Sequence, residues 1–327
     1  MKNIVAHRIV LLLFTMSTVA TAQESSRGVY RVTEERIGGA ARTGESNTIR
    51  YTVIDTAGIS VARVERTLPY DVPFPTIGVF IDGTLMLVHA FDALIELYSP
   101  GGGAVSSVRP LREALPEHER VMRFSVQGST AVFLVGEPSR PNASVFVVNA
   151  RGKMLWEEEV AGSMAGGVAV SPDGEFVGAS AYRWDGSNPL WETTILTSSG
   201  TKVASVPAGF TTGSFSQDGR RLVGFTPREW FLTEVKSGMI LFRDLVGGDR
   251  MILDAVISGD EASVLVADLP KLEDGSWIYS HPVLETRDNN GSILRSETYP
   301  VASFKTAKLL PSGSSLKAEF DGAVYPR

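Results

Sequence analysis

Short apolar runs interrupted by glycine-bearing polar turns recur along almost the whole sequence. Two kinds of hairpin alternate. The first kind comprises TIGVFIDGTLMLVHA, RFSVQGSTAVFLV, GVAVSPDGEFVGAS, SFSQDGRRLVGF, DAVISGDEASVLVA and AKLLPSGSSLKAEF, with turn glycines at Gly83, Gly128, Gly174, Gly219, Gly259 and Gly313. These positions are 45, 46, 45, 40 and 54 residues apart. The second kind lies between them, with turn glycines that include Gly58, Gly102, Gly152, Gly200, Gly238 and Gly291. A polar turn that contains glycine, flanked by alternating or continuous apolar residues, predicts a β-hairpin, and Asn290-Gly291 is the strongest such pair.

Two hairpins per repeat give four strands, and four-stranded units of roughly 40–50 residues predict propeller blades. A small twisted sheet cannot bury both faces by itself, so such units stack around an axis. The sequence opens on a hairpin of the second kind and closes on one of the first, with five complete repeats between. The expectation is an all-β, six-bladed β-propeller in which the two terminal hairpins pair to form the last blade, with VYRVTEER at 29–36 adding to it. This pairing would latch the ring and remove two open edges. A seven-bladed ring is the alternative, and a pair of β-sandwiches a further one.

The first residues read as an address. Lys2 and Arg8 precede or flank the apolar stretch Ile9–Ala20, and Ala20-Thr21-Ala22 offers small residues for cleavage. Together these predict a secretory signal peptide over 1–22 and a single propeller domain over 23–327, in the periplasm or secreted. The apolar stretch is short for a span, which takes ~20 residues, and nothing later is longer. Loss of Lys2 and Arg8 with the leader would take the formal charge from −6 to −8. An acidic chain without a basic cluster argues against nucleic acid as a partner. The chain has no cysteine, which removes disulfides, thiolate nucleophiles and Cys-ligated metals.

Ser171-Pro172-Asp173-Gly174 and Ser216-Gln217-Asp218-Gly219 resemble the turn of WD40-like periplasmic propeller repeats, the kind found in TolB-type proteins. Val147–Trp156 (VVNARGKMLW) is similar to the repeat of quinoprotein propellers, in which a Gly-Lys turn precedes a tryptophan. Both resemblances imply a fold and neither implies an activity. Asp173 and Asp218 are expected to bond amides of their own turns, and Trp156 to pack between blades. The Trp motif occurs cleanly once, which weakens any quinone-cofactor reading, and no cofactor is expected.

Chemistry is thinly signalled. Outside the leader the histidines are His89, His118 and His281, with no local metal spacing. Zinc-protease, EF-hand, P-loop and nucleophile-elbow motifs are absent. His89 sits in an apolar strand and reads as a core residue. The elaborated segments all fall on one face of the predicted ring. They are the second-to-third-strand loops Tyr182–Trp191 and Glu273–His281, and the connections Leu68–Thr76 and Pro110–Arg120, the last read as a short polar helix. Trp and Tyr provide large contact area with few rotors to freeze. Trp184, Asp185, Trp191, Trp277, Tyr279 and His281 are therefore the candidate binding residues, unless their rings fold back to cap the blades. The expectation is a non-catalytic module for a protein or peptide partner. The alternative is a hydrolase or lyase with acids converging at the central channel.

Overall fold

The computed structural model describes residues 30–38, 46–69, 72–89, 94–109, 121–312 and 315–325. Leader residues 1–22, segment 110–120 and Gly313 lie outside them. The described residues form antiparallel strands with no helix, and they fall in two compact units, one holding those up to 89 together with 94–107 and the other those from 108 onward.

The first unit holds β1 (Tyr30–Gly38), β2 (Ser46–Asp55) and β3 (Ser60–Pro69) in one sheet. A second sheet is β4 (Thr76–Val79), β5 (Leu85–His89), β6 (Leu94–Tyr98) and β7 (Ala104–Val108), in that order. Alternation along β2 buries Asn47, Ile49, Tyr51 and Val53, as a strand with one face inward requires. These apolar side chains meet Ile77, Val79, Leu85 and Leu87 of the second sheet. His89 is half-buried, as its sequence context suggested, and its Nε2 lies 2.9 Å from Glu96 Oε2. Arg66 holds the same carboxylate.

The second unit contains five successive sheets. The first is β8 (Val121–Gln127), β9 (Thr130–Gly136), β10 (Asn142–Asn149) and β11 (Met154–Ala161). Next come β12 (Met164–Val170), β13 (Phe176–Asp185), β14 (Asn188–Thr197) and β15 (Lys202–Val206). The third is β16 (Thr212–Phe215), β17 (Arg221–Phe225), β18 (Glu229–Glu234) and β19 (Ile240–Leu245). The fourth is β20 (Arg250–Ser258), β21 (Glu261–Asp268), β24 (Val283–Arg287) and β25 (Ile293–Thr298), interrupted by a small hairpin of β22 (Lys271–Glu273) and β23 (Ser276–Ile278). The last is β26 (Ala307–Ser312), β27 (Ser315–Phe320) and β28 (Ala323–Tyr325).

Period-two patterning explains the stacking. On β17, Leu222 enters the core shared with the preceding sheet, and Val223 enters the core shared with the following one. Phe231 and Trp230 divide in the same way on β18. Four such cores join the five sheets in sequence order. The first strands also touch in succession: β8 with β12, β12 with β16, β16 with β20 and β20 with β26. All five predicted repeats are four-stranded sheets with the expected strand order. The two terminal hairpins, expected to complete one another, each take a third strand locally: β1 beside β2, and β28 beside β27.

The turn aspartates act as predicted. Asp173 Oδ1 accepts the amide of Glu175 at 2.9 Å and the Ser171 hydroxyl at 2.5 Å. Asp218 repeats this with Arg220 and Ser216, and the Ser216 hydroxyl, more than the Arg220 amide, holds its carboxyl below the usual aspartate range. The glycines of the third-to-fourth-strand turns have a second role. A Cβ on Gly200 would lie 3.1 Å from the Trp156 ring, one on Gly238 2.9 Å from Ser205 O, and one on Gly291 2.8 Å from Phe242 Cβ. Each turn thus rests on the outer strand of the preceding sheet. Trp156 packs between sheets there and donates its indole N–H to Ser198 O at 2.6 Å.

Candidate binding site

Tyr182–Trp191 is no irregular loop. Strands β13 and β14 continue in register to a two-residue turn, with Trp184 opposite Pro189 and Asp185 opposite Asn188. Gly186 takes φ 60 at the first turn position, the requirement of a type II′ hairpin. The flanking strands stop short: β12 pairs only as far as Tyr182, and β15 only as far as Thr193. The end of the hairpin is therefore a two-stranded ribbon with no flanking strand among the described residues. Trp184 is 47% exposed and Leu190 45%. Asp185 is exposed at the tip.

Alternation places Tyr182, Trp184, Pro189 and Trp191 on one face of the ribbon. The Tyr182 ring meets Trp184 edge-on at 5.8 Å and Trp191 at 4.5 Å. Trp191 is held by two glycines. A Cβ on Gly166 would come within 2.4 Å of its Cζ3, and one on Gly209 within 2.1 Å of its Cε3. Gly166 is the extra residue where the β12–β13 register shifts. Gly209 lies in the connection after β15, fixed by Thr193 Oγ1 donating to Ala208 O at 2.8 Å and by the Phe210 amide donating to Ser180 Oγ at 2.8 Å. Trp191 thus caps the sheet, and Trp184 is the ring presented to solvent.

Arg123, on β8, joins this site and was not singled out from the sequence. Its Nε donates to Gly166 O at 3.3 Å and its Nη1 to Met122 O at 3.4 Å. Burial holds its guanidinium below the usual arginine range, partly offset by Tyr182. Burial also raises the Tyr182 phenol, against the pull of the Arg123 charge. The signal in the sequence was an arginine within an inner apolar strand, VMRFSV.

The other candidates lie on a different sheet. Trp277 is on β23 opposite Leu272 and is half-buried. Tyr279 exchanges backbone hydrogen bonds with Phe304 at 2.8 and 3.0 Å, and the two rings stack at 5.6 Å. Burial raises its phenol pKa. His281 adopts φ 50, which is uncommon for a non-glycine residue. Its Nδ1 lies 2.6 Å from Asp268 Oδ2, and Arg250 donates to its carbonyl at 2.9 Å. The His281 bond is the main cause that keeps the Asp268 carboxyl below the usual range. Ser280 Oγ donates to the same oxygen of Asp268 at 3.4 Å. Hydroxyl and imidazole are thus both partners of the carboxylate, whereas a catalytic triad places the imidazole between the other two. Among the described residues, no three His, Cys, Asp or Glu side chains gather as a metal-ligand set, and no helix is long and apolar enough to cross a membrane.

With this geometry in hand, likeness to solved structures defines the class: the protein resembles β-propellers. A structure described as the Dos1 propeller aligns with a TM-score of 0.54 at 12% identity, covering 85% of this chain and 74% of its own. BamB from Moraxella catarrhalis aligns at 0.51 and 11% identity, over 86% of this chain and 80% of its own. Kuenenia stuttgartiensis hydrazine synthase aligns at 0.52 and 17% identity, over 78% and 76%. At such identities the likeness shows the fold alone. No protein-family model and no curated protein sequence matches the chain.

Proposed function

We propose that this protein is an exported β-propeller binding module that docks a protein or peptide partner on the end of its sheets where the β13–β14 ribbon projects. The observation that carries this reading is the ribbon itself: a regular hairpin that outruns both neighbouring strands and displays Trp184, Pro189 and Leu190 on no core of its own. Exposed aromatic residues on rigid elements suit binding anchors. Export rests on the leader-like residues 1–22 and places the protein in the periplasm or outside the cell. Two carboxylates of the fourth sheet of this unit, Asp254 and Asp268, are already engaged. Asp254 accepts two backbone amides, and Asp268 serves His281 and Ser280. For the blade count we favour seven, because five four-stranded sheets are accompanied by two three-stranded terminal ones.

The test is cross-linking of the full-length protein in its native envelope, with Trp184→Ala as the comparison. A discrete partner captured by the parent and lost from the variant supports the reading. A partner retained by the variant, or none for either, overturns it.

A further inference from the structure

Arg123 is the one guanidinium among the described residues of the second unit that is drawn in from solvent with only weak acceptors around it. Its hydrogen bonds to Gly166 O and Met122 O, at 3.3 and 3.4 Å, are both longer than the usual N–H···O range. Arginine carries five N–H donors, and among the described residues Arg123 makes these two bonds. Other half-buried arginines of this unit have carboxylates. Arg221 lies 3.0 Å from Asp260, Arg250 3.9 Å from Asp268, and Arg287 2.6 Å from Asp244. Among the described residues no carboxylate stands within ion-pair distance of Arg123. The sequence holds 37 acidic residues, so acids are not scarce. A charge withdrawn from water without an opposite charge is costly, and these other arginines avoid that arrangement.

The position of Arg123 gives the arrangement a use. Its Gly166 contact is the same glycine on which Trp191 lies. Tyr182, which interacts with its charge, meets Trp184 edge-on and Trp191 at a tilt. A guanidinium held by two backbone carbonyls, with no carboxylate beside it among the described residues, suits one ligand chemistry above others: a planar carboxylate, held bidentately by parallel N–H···O bonds.

We propose that Arg123 receives a carboxylate of the partner that docks on the β13–β14 ribbon, with Tyr182 and Trp184 contacting the apolar part of the residue that carries it. The inference rests on the binding reading above and adds its chemical class. The carboxy-terminus of a polypeptide and an Asp or Glu side chain share this chemistry.

The test uses the intact protein and three soluble probes: N-acetyl-Ala-Phe with a free carboxylate, its C-terminal amide, and N-acetyl-Glu-Phe amide. The readout is the Nε–H resonance of Arg123 in 15N-labelled protein, assigned by its loss in Arg123→Lys. Saturable movement with either acidic probe and none with the neutral amide is expected. The free-acid peptide acting alone identifies a carboxy-terminus, and the Glu peptide acting alone a side chain. Arg123→Lys, checked by its melting curve, keeps the charge and loses the fork, and should bind about tenfold to a hundredfold more weakly. The inference is overturned if neither acidic probe moves the resonance at millimolar concentration, or if the neutral amide moves it equally. If Arg123→Lys misfolds, the resonance is assigned in the parent by through-bond correlation to the Arg123 backbone and decides alone. Should partner capture depend on Trp184 while Arg123 ignores carboxylates, the binding reading survives and this inference fails.

Discussion

Asp254 and Leu309 are joined across two sheets: Asp254 Oδ2 on β20 accepts the Leu309 amide of β26 at 2.7 Å, while Oδ1 accepts the amide of Ala255 at 2.8 Å. The carboxyl lies at the register shift between Ile252 and Asp254, where the extra residue turns it toward the next sheet.

That enclosure sets a pH dependence. Burial pushes the Asp254 carboxyl up from 3.8 to about 6, against the opposing pull of the Leu309 and Ala255 amides and the Lys308 charge. Its folded value therefore lies above its unfolded one. The contribution to stability is complete below about pH 4 and is lost as pH rises through about 6. The difference is as much as roughly 3 kcal/mol, less where residual surface admits water. Asp254→Asn should flatten the parent's loss of stability between these values, although one of the two amides then faces an NH2 group. Urea unfolding of parent and variant across this range checks it. Equal pH slopes would show that another group titrates.

A second prediction separates two kinds of glycine. Gly174 has φ 75 and open space within 4 Å of where a Cβ would stand, whereas Gly291 has φ 82 and a Cβ there would press on Phe242. Gly174→Ala should cost about 1–2 kcal/mol, the cost of a left-handed L-residue. Gly291→Ala should cost about 1–3 kcal/mol more, because it also forces two sheets apart. If both variants unfold at the same urea concentration, the third-to-fourth-strand turns are not contact points between sheets.

The division between these glycines marks how far the sequence could be read. Turn chemistry and period-two alternation are local, so the hairpins, the four-stranded repeats and the self-bonding of Asp173 and Asp218 were legible. Contacts between residues 25 to 43 positions apart were not. VMRFSV gives no sign that Arg123 would meet Gly166, and nothing in MAGGVAV shows that a glycine makes room for Trp191. The Asp, Gly, Asn and Pro within Tyr182–Trp191 are turn formers and predict a loop; the cross-strand rings of Tyr182 and Trp191 carry the ladder through them instead.

The glycine contact under Trp191 is itself testable. Gly209→Ala would put a Cβ 2.1 Å from the indole, so the ring must leave its seat, at a cost of about 1–3 kcal/mol. In a Trp191→Ala background the same change should cost far less, since the obstructing ring is gone. A double-mutant cycle by chemical unfolding measures this coupling. Additive effects would mean that the ring and the glycine do not support one another.

The two tryptophans of the ribbon, equivalent as sequence candidates, should separate in the same experiment. Trp184 is 47% exposed and meets Tyr182 edge-on, so Trp184→Ala should change stability by no more than about 0.5 kcal/mol while removing a binding anchor worth roughly 2 kcal/mol or more. Trp191 fills the space between Gly166 and Gly209. Trp191→Ala should destabilise by about 2–4 kcal/mol, with any loss of binding following from the loosened ribbon. Unfolding midpoints and partner affinity measured on both variants give the answer. A Trp184→Ala protein that is as destabilised as Trp191→Ala would make the exposed ring part of the fold, and the ribbon would lose its claim to be a docking surface.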